Sequence, residues 1–170
     1  MKGHKPKSWR ALLADPAEKV LVSACLAGTP CRYDGKSNAD ARVQALAASG
    51  RAVIVCPEVA GGLKIPRIPA EIRVAGGKRK VYNKQNRDVT AAYERGAAHA
   101  AALALACGCR LAIFKARSPA CGCGTIYDGS FTHRLTAGNG IAAQALMDAG
   151  VIVITEETLW ADPADGSPLR

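Results

Sequence analysis

The sequence predicts a three-layer α/β fold, a mostly parallel sheet with helices on both faces. Two observations carry that expectation. Four short apolar runs rich in β-branched residues, at 19–24, 52–56, 110–115 and 151–155, alternate with longer helix-compatible stretches. Apolar residues make up 49% of the chain and aromatics only 5%, so the core must be built from Ala, Val, Ile and Leu, as buried parallel strands are.

Residues 1–18 read as a basic arm carrying a short helix at 8–14. The runs KVLVSA (19–24) and AVIVC (52–56) are too short and too β-branched for helices and read as strands buried on both faces; RLAIFK (110–115) and VIVIT (151–155) repeat the pattern. Helices are expected at 39–49, 89–106 and 140–149, with Asp88 as N-cap of the second and Gly50, Gly108 and Gly150 where C-terminal caps belong. Strands that alternate with helices imply right-handed crossovers, hence a Rossmann-like or flavodoxin-like arrangement. A single domain over 19–160 and a tail at 161–170 complete the expected organisation; a chain of 170 residues buries roughly two thirds of its unfolded surface without staples.

Lys and Arg number 23 against 14 Asp and Glu, a net charge of +9 that favours anionic partners. Part of the excess lies in 76–87, where Lys78, Arg79, Lys80, Lys84 and Arg87 occur without an acidic residue and read as a solvated loop. No apolar run approaches the roughly 20 residues of a membrane span, and the basic start lacks the apolar core of a secretory signal. The expected compartment is the cytoplasm. There, seven cysteines point to metal binding or catalysis rather than disulfides.

Ligands of open parallel sheets collect beyond the carboxyl ends of the strands. Cys25 and Cys31 follow the first strand, Cys56 ends the second, and Cys121 and Cys123 lie beyond the third, so three distant segments are expected to meet at one edge. Cys107 and Cys109 belong at the opposite edge, where a thiol packs as a small hydrophobe. The paired C-x-x-C of structural zinc is absent, although zinc remains compatible with the cysteine content. Soft thiolates also select iron-sulfur clusters, and three ligands on a cubane would leave one iron open.

Several co-ordered motifs carry a resemblance: Ser23-Ala24-Cys25-Leu26 with Cys31-Arg32-Tyr33-Asp34-Gly35-Lys36; Cys56-Pro57-Glu58-Val59 with Gly61-Gly62-Leu63, Pro66-Arg67 and Pro69-Ala70-Glu71-Ile72; and Ser118-Pro119-Ala120-Cys121-Gly122 with Ile126-Tyr127-Asp128-Gly129. Over about 19–156 the chain resembles the 2-thiouracil desulfurase family. The resemblance implies a small α/β enzyme with a 4Fe-4S cluster on Cys25, Cys56 and Cys121, Cys31 and Cys123 being alternates, and with Glu58 and Ser118 as catalytic residues. Ser23, Arg32, Tyr33, Asp34 and Arg67 are the expected substrate contacts. Lys64 stands where the family usually has proline, Ala120 where serine is common, and His133-Arg134 replaces a small-residue turn.

The implied reaction is non-redox removal of sulfur from a small thiolated pyrimidine, free or within RNA, giving uracil and sulfide. Two other readings stay open on the residues: a zinc-dependent hydrolase or deaminase acting on a base, which lacks the H-x-E with P-C-x-x-C signature, and a cysteine-based metal or redox sensor with a basic surface facing nucleic acid, which lacks a recognition helix or aromatic platform.

Overall fold

In the computed structural model, which describes residues 7–161, helix α1 (Trp9–Ala14) is capped by Ser8, whose hydroxyl accepts the Ala11 amide. Residues 1–6 of the expected arm and 162–170 of the expected tail lie outside the described residues. The chain continues through β1 (Val20–Ser23), α2 (Ala41–Ala48), β2 (Ala52–Val55), α3 (Pro57–Ala60), β3 (Ala70–Ala75), β4 (Lys78–Asn83) and α4 (Thr90–Ala106). It ends with β5 (Leu111–Phe114), β6 (Thr125–Tyr127), β7 (Leu135–Ala137), α5 (Ile141–Asp148), β8 (Ile152–Thr155) and α6 (Glu156–Ala161).

The four apolar runs form one parallel sheet in the order β2-β1-β5-β8. Alternation along the strands divides the core in two. Val20, Val22, Leu111, Ile113 and Ile154 pack with Leu12 of α1, Val43 and Leu46 of α2 and Leu159 of α6. Leu21, Ala112 and Val153 face the other way, against Tyr93, Ala97 and Ala100 of α4 and Leu146 of α5. Each such Val or Leu contributes about 1.5–3 kcal/mol by burial. From β1 the chain passes to one side to form β2, and from β5 to the other to form β8, so the crevice between the carboxyl ends of β1 and β5 is a topological switch point.

Alanine and glycine let the helices approach closely. A Cβ added at Gly96 of α4 would sit 1.9 Å from the Pro57 carbonyl oxygen, and one at Gly61 would sit 1.9 Å from that of Ala92. Arg95 also donates to the Gly61 carbonyl, fixing α3 on α4.

The structure differs from the sequence expectation in two places. Asp88 is not the N-cap of α4: Val89 takes that position, while Asp88 pairs with Tyr82 in an isolated bridge and accepts the Thr90 amide. Most of the basic stretch 76–87 is not a loop: 76–83 form the turn and second strand of the β3–β4 hairpin, in which Val81 and Asn83 are buried, and 84–87 form the turn that follows. The hairpin's own turn is Gly76-Gly77, both at positive φ as a two-residue hairpin requires.

Candidate active site

Three loops at the carboxyl edge of the sheet enclose a cavity of about 440 Å3 whose wall includes Cys25, Cys31, Cys56, Cys121, Glu58 and Ser118. Cys25 follows β1 in a loop closed by Asn38, whose amide donates to the Cys25 carbonyl. The Asn38 side-chain oxygen accepts Arg32 Nη1 at 2.7 Å, which turns its amide nitrogen toward the Cys25 sulfur. Cys56 leaves β2 as the N-cap of α3, and Pro57 starts that helix at a position where no amide is needed.

Cys121 is held by the start of α5. The amides of Gly140, Ile141, Ala142 and Ala143 have no partners within the helix, and they donate instead to the carbonyls of Gly122, Pro119 and Ala120. Ser118 closes the same loop, its Oγ accepting the Ala120 and Cys121 amides at 3.1 Å each. Arg117 precedes it at φ 65, a left-handed conformation that costs a non-glycine residue about 1–2 kcal/mol and reverses the chain after β5. Glu156 anchors the loop's root through Lys115 and through the Ala116 amide at 2.8 Å.

The thiols differ in ionisation because they share hydrogen bonds. Cys31, 4% exposed, lies between Cys25 and Cys56, and its single S–H proton can be offered to the sulfur of either. Those contacts, and then burial, push its own thiol far up. Cys56 is lowered to about 7, first by the bond from Cys31 and, against burial, by the Val59 amide. Cys25 is lowered for the same first reason, with help from Asn38 and Lys115. Burial drives Cys121 the other way, opposed by a hydrogen bond from Ser23.

Glu58, at the first turn of α3, accepts Arg67 Nε at 2.6 Å, the two side chains being 14% and 10% exposed. Arg67 also donates to the carbonyls of Cys31 at 2.9 Å and Lys64 at 3.3 Å. Tyr93 of α4 reaches Glu58 from behind; burial first, then the carboxylate charge, raises its hydroxyl.

Of the expected contacts, Ser23, Arg32, Tyr33 and Arg67 line the cavity. Ser23 is buried, its Oγ taken by the Lys115 amide at 2.9 Å and its proton directed to Cys121. Asp34 lies outside the wall and holds Arg32 at 3.1 Å. Cys123 also lies outside it, donating to the Val153 carbonyl at 3.3 Å. Asn38, Tyr93 and Lys115 were not legible as site residues, since no local pattern distinguishes a helix tyrosine or a strand-end lysine. Phe131 and His133 also line the mouth, on a loop whose Gly129 and Phe131 amides are gripped by buried Glu71.

Among the described residues no group of three His, Cys, Asp or Glu side chains is arranged to close on a single metal ion. A mononuclear zinc site needs its sulfurs about 2.3 Å from one point. Cys25, Cys56 and Cys121 reach one cavity from three separate loops, a disposition that suits a group offering each of them its own metal atom.

Residues 20–158 match the family model described as 2-thiouracil desulfurase. The protein YbbK of Bacillus subtilis (strain 168) is 40% identical over 146 residues, 82% of this chain and 97% of its own. Among solved structures, the [4Fe-4S]-dependent thiouracil desulfidase TudS superposes with a TM-score of 0.77 at 46% identity, covering 84% of this chain and 93% of its own.

Proposed function

Because the chain belongs to the 2-thiouracil desulfurase family, we propose that it hydrolyses the thiocarbonyl of a 2-thiouracil-like pyrimidine in the cytoplasm, giving uracil and sulfide without net electron transfer. The observation that carries this reading is the meeting of three sheet-edge thiols and a buried Glu58–Arg67 pair on one cavity.

Cys25, Cys56 and Cys121 hold a 4Fe-4S cluster. When bound on three thiolates, such a cluster supplies a soft Lewis acid with an open position, suited to drawing electron density from a thiocarbonyl sulfur. The donor set fits it: three thiols from separate loops face one cavity, Cys25 and Cys56 are biased toward thiolate, and Cys121, raised by burial, has Ser23 beside it to support charge.

Glu58 takes a proton from the attacking water and returns it to the departing sulfur or a ring nitrogen, while Arg67 fixes the carboxylate for both steps. Ser118 orients substrate or water; both acceptor sites of its Oγ are filled by amides, so its proton is the part left to donate. Arg32 and Tyr33 meet the polar edge and face of the ring, Asp34 acts through Arg32, and Ser23 serves Cys121.

The test is purification without oxygen followed by supply of 2-thiouracil, 4-thiouracil and thiolated RNA. Sulfide and the matching oxo-pyrimidine should appear in equal amounts, and Glu58→Gln should keep its iron but release no sulfide. Full activity in Glu58→Gln removes the proton role. Steep loss of activity with salt marks a substrate within RNA, and a flat profile marks the free base.

A further inference from the structure

Four thiols line the cavity, yet the proposed function uses three. Cys31 is left over. It is 4% exposed, whereas its neighbours Cys25 and Cys56 are half-buried. It lines the same cavity wall as both and is their common side-chain neighbour. The backbone keeps it there: the Cys31 carbonyl accepts Arg67 Nη2 at 2.9 Å, and the Cys31 amide donates to Thr29 at 2.8 Å. An oxidant entering from the mouth therefore meets Cys25 or Cys56 first, with a shielded third thiol already against either sulfur.

We propose that Cys31 is a resolving thiol, which converts an oxidised Cys56 or Cys25 of the cluster-free protein into a reversible disulfide. This inference rests on the three-ligand reading above.

With hydrogen peroxide as oxidant, the Cys56 sulfur attacks one peroxide oxygen, giving a sulfenic acid and one water. The Cys31 sulfur then attacks the sulfenic sulfur; an S–S bond forms, the S–O bond breaks, and a second water leaves with the Cys31 proton. Two thiols have lost two electrons and two protons, and the peroxide has gained them. A dithiol reductant reverses the step by exchange. Without a resolving partner the sulfenic acid advances to sulfinic and sulfonic acids, which do not return. The disulfide thus preserves ligands that can be reloaded with iron and sulfide.

The experiment uses the full chain, stripped of iron by a chelator under reducing conditions, freed of reductant and treated with an excess of hydrogen peroxide, since a sulfinic acid consumes two peroxides per thiol and a sulfonic acid three. Peptide mass spectrometry without reduction should find Cys31 joined to Cys56 or Cys25, and iron and sulfide should return after dithiothreitol. In Cys31→Ser the same treatment should leave sulfinic or sulfonic acid on Cys56 or Cys25 and cut the recovered iron severalfold. A wild-type digest without a Cys31 cross-link, or equal recovery in Cys31→Ser, overturns the inference. Loss of the cluster from Cys31→Ser before any oxidant is added would instead overturn the three-ligand reading, so the two failures are distinct.

Discussion

The Arg67 guanidinium joins two parts of the site: its Nε lies 2.6 Å from Glu58 Oε2, and its Nη2 lies 2.9 Å from the carbonyl of Cys31. One side chain thereby sets both the carboxylate and the loop that carries two of the thiols. Because the pair is largely shielded from water, removing one partner leaves the other charge poorly compensated, at a cost of about 3–5 kcal/mol for a buried pair.

Arg67→Lys should therefore fail to substitute. An ammonium cannot reproduce the fork that spans Glu58 and the Cys31 carbonyl. Sulfide release should fall about 10- to 100-fold, the usual range for a lost supporting partner, while iron per chain changes little. Wild-type turnover in Arg67→Lys would contradict the positioning role.

In cluster-free protein, Cys56 should alkylate as a thiolate near neutrality. Its pKa is lowered to about 7, and the thiolate is the nucleophile, so the rate should be low below that pH, rise through it and level off above. Peptide-resolved iodoacetamide labelling across pH 5–10 measures this. Cys31→Ala removes the main lowering contact and should move the midpoint upward. An unmoved midpoint would show that Cys31 does not set it. Cys121, raised by burial, should label last.

Gly96→Ala should destabilise the fold without touching the cavity directly. The added Cβ would lie 1.9 Å from the Pro57 carbonyl, so α3 and α4 must separate, at about 1–3 kcal/mol or more for overpacking. A 2 kcal/mol loss lowers Tm by about 4–8 °C in a chain of this size. An unchanged melting temperature would mean that the contact is loose. Separation should also reduce turnover, because Glu58 rides on α3.

The layered core was legible because both kinds of pattern were strong: four β-branched runs gave the four strands of the parallel sheet, and the glycines at 50, 108 and 150 stand just past helices at positive φ. The convergence of Cys25, Cys56 and Cys121 followed from that topology. The hairpins were hidden. In KRKVYN the two lysines and the arginine mask the alternation that buries Val81 and Asn83, although Gly76-Gly77 between two flanking runs was a usable signal. Side-chain partners such as Tyr93 behind Glu58 depend on helix packing across Gly61 and Gly96, which no local pattern records.

The most direct measurement is iron and acid-labile sulfide per chain, in oxygen-free preparations of the wild type and of single serine variants at Cys25, Cys56, Cys121, Cys107 and Cys123. The wild type, Cys107→Ser and Cys123→Ser should each hold about four of each, and the first three variants should lose most of both. A full complement in any of Cys25→Ser, Cys56→Ser or Cys121→Ser would contradict the ligand set.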